Sequence, residues 1–414
     1  MKTSLFISFL LLSSQLAFTQ GQDFQAVLDA GKAEFKLQAK KDTANYTKAY
    51  KILSEAVKLQ PDNVEARYFL GYALDRMNSQ DGSTMSLSQL DLSIQASEQF
   101  EIVNQLEPKY TGELLLLDPY SKITSIWGSM AIAYLTRHQT DSAKWAFAQG
   151  RKRGGFIDPV LAYNRQLLSS CAKNAILITV GDDVTIPSWY IQEVEHFRTD
   201  VLVIDAYLLG ASWYPKYLKH EKSLPTTYSD GQIDSLNYIP WKSTTISVKK
   251  GSLEFAWELR PTYYDQYLLK GDQILLDIFK LTAFDRPLYF VTGCDSSNNL
   301  FLTDHLGNEG ILSRVLMTKG DSLESQQSRL KNLASYTIDG LFPSQISRSE
   351  SAVTLLNGFR WAYYAASYDL YTQGDLKGAK KLLDDMERKF DSTKLPYFSD
   401  KFYDGIEALK NELK

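Results

Sequence analysis

The sequence has little cysteine or histidine and no excess of positive charge. Its 414 residues include 2 Cys and 4 His, and 45 Lys and Arg stand against 49 Asp and Glu, which gives a net charge of -4. Without a strongly basic surface, the chain has no electrostatic basis for binding nucleic acid. No two histidines have the spacing of metal ligands on one helix face. We therefore predict no nucleic-acid partner, no bound metal and no other cofactor.

Two common catalytic signatures are also missing. No serine lies in the Gly-x-Ser-x-Gly motif that presents the nucleophile of α/β-hydrolases. The glycine-rich basic stretch at residues 150–155 follows a helical pattern instead of a strand, so it lacks the context of a phosphate-binding loop. The sequence therefore names no catalytic residue. It favours a protein without enzymatic activity but does not decide the question.

The N-terminus has the pattern of a cleaved secretory signal. Lys2 precedes an apolar run from Leu5 to Phe18, and small side chains at Ala17 and Thr19 suit a signal peptidase. The run is too short to anchor the chain in a bilayer, and no later stretch approaches ~18 consecutive apolar residues. We predict a signal peptide over residues 1–20 and a periplasmic or secreted protein with no membrane span after cleavage.

Residues 21–157 have the pattern of stacked helical hairpins. Between Ala49 and Leu74, small residues alternate with tyrosine and leucine at three- and four-residue spacing, and a proline separates two predicted helices. This pattern is typical of the tetratricopeptide repeat, whose helix pairs stack into a solenoid with a concave groove. Two weaker copies follow at 94–108 and 126–150, with an insertion between them. The groove is predicted to bind a protein partner, and the alternative is a spacer that docks on the next domain. The candidate groove contacts are Tyr50, Tyr68 and Tyr72.

The hydrophobic period changes after residue 157. Three continuous apolar runs have the length and composition of buried parallel strands: residues 175–181, 201–207 and 287–293. Helical patterns lie between them, as in right-handed strand–helix–strand units. Alternation over 243–260 predicts an inserted hairpin, and FLTDH (301–305) and ILSRVLM (311–317) predict edge strands. We therefore expect residues 158–320 to form a small Rossmann-like α/β domain with a mostly parallel sheet.

The two cysteines are predicted to be unpaired. Cys171 precedes the first of these strands and Cys294 follows the third. If the strands are parallel, the two thiols lie at opposite ends of the sheet, beyond the ~7 Å between Cα atoms that a disulfide allows.

Acidic residues follow each predicted parallel strand. Ligands of open α/β sheets bind at the carboxyl ends of the strands, where carboxylates can bind a cation or act as general acid and base. Aromatic rings beside them could hold a sugar. The candidate ligand-binding residues are Asp182, Asp183, Trp189, Tyr190, Asp205, Trp213 and Asp295. The alternative is structural, because Asp at a strand end often caps the next helix and aromatic residues at helical spacing usually pack in cores.

After residue 320 the helical patterns return. Residues 321–350 are predicted to be a linker with a partial helix, and residues 351–414 a helical hairpin with a capping helix. Gly374 and Asp375 mark the end of one helix and the cap of the next. The predicted architecture is thus tetratricopeptide-like hairpins flanking an α/β domain.

Three blocks of this sequence resemble a known family. They are NAILITVGDDVTIPSWYIQEVEHFRTDVLVIDAYLLGASWY, DQILLDIFKLTAFDRPLYFVTG and LLNGFRWAYYAASYDLYTQGDLKGAKKLLDDMERKF. In order and spacing they are similar to the soluble C-terminal part of the domain-of-unknown-function 2723 (DUF2723) membrane proteins, which include protein O-mannosyltransferases. The membrane-embedded catalytic half of that family has no counterpart in the sequence, and Val184 and Ile186 replace an acidic and an aromatic position of the family pattern. The resemblance therefore implies the module's fold without implying sugar transfer.

These features predict an exported interaction or scaffold protein, accessory to envelope assembly or protein glycosylation, with a protein partner on its helical repeats. The alternative is a carbohydrate-binding or carbohydrate-modifying protein that uses the acidic loop at the strand ends.

Overall fold

The structure, a computed structural model, describes residues 24–41, 43–251, 253–320 and 322–414. The predicted signal peptide lies outside these residues. Within them, no helix combines the length and the apolar composition that crossing a membrane requires. The described residues form helices, one five-stranded sheet and two small two-stranded sheets.

The described chain begins with a series of helices. They are α1 (residues 24–38), α2 (Thr47–Leu59), α3 (Val64–Ser79), α4 (Leu90–Leu106), α5 (Pro119–Leu135), α6 (Thr140–Lys152) and α7 (Asp158–Ser170). Each helix from α2 to α5 packs against the one that follows it in sequence. Close packing needs small residues at the contacts: a Cβ on Gly71 of α3 would lie 2.7 Å from the Phe100 ring of α4. The Asn63 side chain accepts a hydrogen bond from the Ala66 amide and so caps α3.

Nine strands form the described sheets. They are β1 (Ile176–Thr179), β2 (Leu202–Asp205), β3 (Ile239–Pro240), β4 (Thr244–Lys250), β5 (Leu253–Leu259), β6 (Tyr267–Leu268), β7 (Leu288–Val291), β8 (Leu306–Asn308) and β9 (Leu312–Val315). The main sheet has the order β2-β1-β7-β9-β8. Strand β1 pairs in parallel with β2 and β7, whereas β9 pairs antiparallel with β7 and β8. The three strands predicted from apolar runs are therefore present and parallel.

The helices that accompany the sheet are α8 (Asp182–Val194), α9 (Trp213–Glu221), α10 (Asp230–Ser235) and α11 (Lys270–Thr282). The hairpin predicted over 243–260 is the β4–β5 pair. Phe255 and Trp257 of β5 pack on Phe279 of α11, with ring centroids 5.5 and 5.1 Å apart. These contacts bury the inner face of the hairpin.

One predicted edge strand is displaced along the chain. Residues 301–305 end in a 3₁₀ turn, and the strand that borders the sheet is β8, which starts at Leu306. The reason is local, because Leu300 and Phe301 have φ values of 56° and 57°, outside the range of a strand. The other predicted edge strand, residues 311–317, contains β9, but β9 lies between β7 and β8 and is not at the edge of the sheet; it pairs antiparallel with both.

Helices also complete the C-terminal region. They are α12 (Leu323–Ser335), α13 (Pro343–Ser347), α14 (Glu350–Thr372), α15 (Leu376–Lys389) and α16 (Asp400–Glu412). Helix α12 is the partial helix predicted in the linker. Helices α14 and α15 pack as a pair, and the Asp375 side chain accepts from the Gly378 amide to cap α15. Phe359 of α14 lies 5.3 Å from Tyr163 of α7, so this pair also packs on the helix that leads into the sheet.

Both cysteines are free, as predicted. Cys171 is buried and Cys294 is half-buried.

Candidate functional site

Asp182 and Asp183 lie in the first turn of α8. Gly181 supplies the turn between β1 and α8, with a φ of 86° that side-chain-bearing residues rarely adopt. Carboxylates in the first turn interact favourably with the positive end of the helix dipole. The Asp182 carboxylate also accepts a hydrogen bond of 2.6 Å from the Ser125 hydroxyl of α5. Asp182 is therefore tied to the N-terminal helices instead of being free for a ligand.

A third carboxylate, that of Asp118, extends this connection to the C-terminal helices. One of its oxygens accepts from the backbone amides of Tyr120 and Ser121 and so caps α5. The other accepts from the Ser349 hydroxyl at 2.7 Å and the Ser351 amide at 3.1 Å, at the start of α14. The N-termini of α5, α8 and α14 thus meet at one place, which we call the junction: Asp118, Asp182, Asp183, Ser125, Ser349 and Ser351.

Asp183 is the most perturbed acid of the junction. Burial of its carboxyl group raises its pKa to about 7, and the nearby charge of Asp118 adds to this rise. The Ser351 hydroxyl stabilises the carboxylate and offsets part of the effect. Asp183 therefore holds its proton up to near-neutral pH, in contrast to an ordinary surface aspartate.

Asp205 ends β2 and is almost fully buried, at 4% exposure. One carboxylate oxygen accepts from the amides of Tyr207 and Leu208, and the other accepts from the Thr185 hydroxyl of α8 at 2.6 Å. Burial raises its pKa to about 6 against the effect of the Thr185 hydrogen bond. Through these hydrogen bonds Asp205 holds the loop after β2 against α8.

Asp295 is the one predicted acid on the surface of the sheet's carboxyl edge. It is exposed and follows Cys294 in the loop after β7. Burial, together with the charges of Asp295 and Asp205, raises the pKa of the Cys294 thiol to about 12. A thiol with this pKa carries almost no thiolate at neutral pH, so Cys294 is not an activated nucleophile.

The three candidate aromatic residues lie in three different environments. Tyr190 stacks on Phe156 with centroids 4.6 Å apart and is buried in the core. The Trp213 indole donates to the Gly82 carbonyl at 3.0 Å and so joins α9 to the N-terminal helices. Trp189 faces the edge strand β2. The structure therefore does not gather these rings around the acids.

Trp189 instead lines a cavity of about 300 Å³ beside β2. Its other walls include Tyr214, Tyr217, Glu193 and Lys222. Glu193 and Lys222 form an ion pair of 3.2 Å. No sequence pattern predicted this cavity, although Trp189 and Glu193 are four residues apart on one helix and so share a face.

Described residues offer no cluster of three or more His, Cys, Asp or Glu side chains that could hold a metal ion. The junction carboxylates meet hydroxyls and backbone amides instead.

The predicted partner groove is occupied by the chain itself. Tyr68 and Tyr72 are fully buried, and Tyr50 is half-buried. The Tyr68 hydroxyl accepts from the Leu115 amide at 3.0 Å, and the Tyr72 hydroxyl accepts from the Leu117 amide at 2.8 Å. Both amides belong to residues 107–117, the insertion that precedes the Asp118 cap of α5, which we call the strap. In this structure Tyr68 and Tyr72 are therefore covered and not exposed to a partner.

The comparisons with known proteins concern the α/β region. Residues 160–237 and 220–332 match the family model described as TMEM260-associated domain 2. The match runs from α7 into α12 and therefore includes the sheet and the strand-end acids, but it covers less than half of the chain. No curated protein matches the sequence significantly. The α/β region is thus similar to a domain associated with TMEM260.

Proposed function

We propose that the protein is an exported, non-enzymatic scaffold. Its tetratricopeptide-like hairpins bind a protein partner, and its Rossmann-like α/β domain and C-terminal hairpin support them. The observation that carries this proposal is the junction. Asp118 and Asp182, together with Ser125 and Ser349, join three regions of the chain through short hydrogen bonds. Acids engaged in this way serve architecture, which favours the structural interpretation of the strand-end motif.

Two resemblances support a role beside protein glycosylation or envelope assembly. TMEM260 is an O-mannosyltransferase-like membrane protein, and the α/β region is similar to a domain associated with it. The sequence blocks described above resemble the soluble part of the DUF2723 family. A protein with this module and an N-terminal export signal would act in the periplasm or outside the cell as an accessory factor.

The direct test is affinity capture from detergent-solubilised envelopes, using tagged protein that starts at residue 21, followed by mass spectrometry. The groove variant carries Lys32→Glu and Lys36→Glu, because these lysines place two positive charges at the edge of the groove, where an acidic group of a partner would bind. The matched control carries Lys40→Glu and Lys41→Glu, two exposed positions just beyond α1. We expect an envelope glycosyltransferase or assembly component with the wild type and the control, and its loss with the groove variant. Equal recovery with all three proteins, or no partner at all, would contradict the proposal.

A second candidate function is carbohydrate binding. The sequence predicted it at the acidic loop, where Asp295 is exposed. The observation that favours it is the cavity beside β2, where the rings of Trp189, Tyr214 and Tyr217 adjoin the Glu193–Lys222 ion pair. Aromatic walls with a few polar groups are typical of small-molecule sites.

A glycan array separates the two candidates. Under carbohydrate binding at the cavity, the wild type retains a defined glycan and the Glu193→Gln, Lys222→Met variant does not. Lys219→Met is the matched control, because Lys219 pairs with Asp230. An Asp295→Asn variant tests the acidic loop in the same way. An array without any glycan bound by the wild type would leave the scaffold as the only candidate.

A further inference from the structure

The strap is held over the N-terminal helices by three kinds of contact. The first is aromatic: the Tyr110 ring stacks on Tyr68 with centroids 4.6 Å apart and planes at 18°. Gly112 permits this arrangement, because a Cβ there would lie 2.4 Å from the Tyr110 hydroxyl. That hydroxyl donates to the Glu113 carbonyl at 3.3 Å. The Tyr110 side chain therefore turns back beneath its own segment and packs on Tyr68.

The second contact is electrostatic. The Glu113 carboxylate lies between two lysines of α1, 3.0 Å from the Lys32 ammonium and 2.6 Å from that of Lys36. Lys32 also pairs with Glu65 of α3 at 2.8 Å. The hydrogen bond from Lys36 lowers the pKa of Glu113. The rim of the groove thus offers two positive charges to one acid of the strap.

The third contact is with the main chain. The Tyr68 hydroxyl accepts from the Leu115 amide and donates to the Leu117 carbonyl, and the Tyr72 hydroxyl accepts from the Leu117 amide. These bonds do not depend on the side chains at 115 and 117, and Leu116 between them is 73% exposed. The same two hydroxyls would bind the backbone of another peptide equally well.

We propose that the strap is a built-in occupant of the partner groove, displaced by a peptide segment of the partner. This inference rests on the proposed scaffold function. The strap defines the segment's chemistry: an aromatic residue followed three positions later by an acidic one, with an extended backbone two residues further on. The aromatic residue takes the place of Tyr110 on Tyr68, and the acid takes the place of Glu113 between Lys32 and Lys36.

Displacement needs a partner segment that buries the same surface, because Tyr110 and Leu117 of the strap are only 5% and 8% exposed. The charged contact of the strap is the weak one. Glu113 is 37% exposed and Lys36 is 46% exposed, and ion pairs at such positions add little stability. The strap also contains no helix or strand. As an attached competitor it acts at high effective concentration, so it lowers the apparent affinity of every partner that lacks the matching residues.

The test uses a fluorescent peptide with the sequence of residues 108–118 as the probe. The strap is opened by Tyr110→Ala with Glu113→Lys, and Leu116→Ser is the control within the strap. We expect the peptide to bind the opened variant at least about tenfold more tightly than the wild type, since one aromatic stack and one ion pair no longer compete. The control should behave as wild type, and a peptide with Lys in place of its glutamate should not bind. Thermal unfolding verifies that each variant is folded.

A rescue variant keeps the inference falsifiable. Restoring Glu113, in the single variant Tyr110→Ala, returns the competing ion pair while keeping both lysines of the groove, and should move peptide affinity back towards the wild-type value. Equal binding to the wild type and the opened variant would show that the strap does not occlude the groove. No binding to either folded protein would overturn the assigned chemistry. If the peptide fails but wild type and opened variant capture the same envelope partner, only the strap inference fails. If the peptide binds but no partner is captured, the scaffold proposal fails.

Discussion

The junction and the strap both connect distant parts of the chain, but they use different chemistry. At the junction, one buried and two half-buried aspartates meet hydroxyls and backbone amides at three helix N-termini. At the strap, a half-exposed carboxylate meets two lysines and an aromatic ring stacks on the groove. Buried polar networks are costly to disrupt, because each group left without a partner keeps its desolvation penalty. Exposed ion pairs are screened by water and salt. The junction should therefore be permanent and sensitive to pH, and the strap reversible and sensitive to salt.

The largest loss of stability is expected from breaking the buried ion pair of Lys122 and Asp75, whose charged atoms lie 2.5 Å apart. Lys122 also lies 4.8 Å from the Tyr72 ring centroid. Lys122→Met leaves the Asp75 charge buried and should lower the free energy of unfolding by about 3–5 kcal/mol. Chemical denaturation measures the change. The double variant with Asp75→Leu should recover much of the loss, and a single variant as stable as the wild type would contradict the prediction.

The second largest loss of stability is expected on removing Asp118, the central acid of the junction. Asp118→Ala deletes the cap of α5 and leaves the Ser349 hydroxyl and the Ser351 amide without their acceptor. We expect a loss of about 3 kcal/mol, the sum of a helix cap and a buried unsatisfied donor. The control is Asp91→Asn, an exposed first-turn acid of α4, which should change the unfolding midpoint little. Similar denaturation curves for the two variants would refute a special role for the junction.

The pH dependence of stability tests whether Asp183 is buried with its proton. Its pKa is raised from 3.8 to about 7, so between these values the folded state binds more protons than the unfolded state. Stability contributed by this group therefore falls as pH rises through that window. Relative to the wild type, Asp183→Asn should gain about 2 kcal/mol between pH 5 and pH 8, since asparagine mimics the protonated acid without titrating.

The measurement is the difference in free energy of unfolding between the two proteins at both pH values. Asp205, whose pKa is raised to about 6, titrates in both proteins and cancels in this difference. A difference that stays constant from pH 5 to pH 8 would mean that Asp183 ionises normally in the folded protein.

The smallest loss of global stability is expected for a change in the strap. Glu113→Gln removes its pairing with Lys32 and Lys36 and should lower global stability by only about 0.5 kcal/mol. Hydrogen exchange should nevertheless quicken at the Leu115 and Leu117 amides, and raising the salt concentration should have the same effect on the wild type. The Ser351 amide at the junction is the internal reference and should not respond to salt. Equal protection of the strap amides and the Ser351 amide, unaffected by salt, would contradict the distinction between a reversible strap and a permanent junction.

Much of the fold is predictable from local patterns in the sequence. The apolar runs around Ile178, Ile204 and Phe290 become parallel strands because a strand buried on both faces needs continuous hydrophobic side chains. Asp375 caps α15 where the sequence predicts it, since capping involves only residues three positions apart. The edge at residues 301–305 was mislocated because positive φ values at Leu300 and Phe301 carry no signal in residue type.

The candidate site was less predictable, because its contacts cross the whole chain. Asp182 and Asp183 were correctly located at a strand end, but Ser125 and Ser349, which define the junction's chemistry, come from helices far away in sequence. Tyr68 and Tyr72 have the spacing of groove residues. Their hydroxyls nevertheless form hydrogen bonds with the main chain of the strap. No pattern in the strap's own sequence predicts this contact.

The sequence by itself determined the elements whose causes are local: helix periodicity, apolar strands, caps, and two cysteines placed at opposite ends of parallel strands. Which charged groups are buried together, and which segment covers Tyr68 and Tyr72, depends on the tertiary structure. The physical reason is that a carboxylate's pKa and availability depend on the desolvation and partners supplied by folding. Asp118 acquires its partners from residues 231 and 233 positions away.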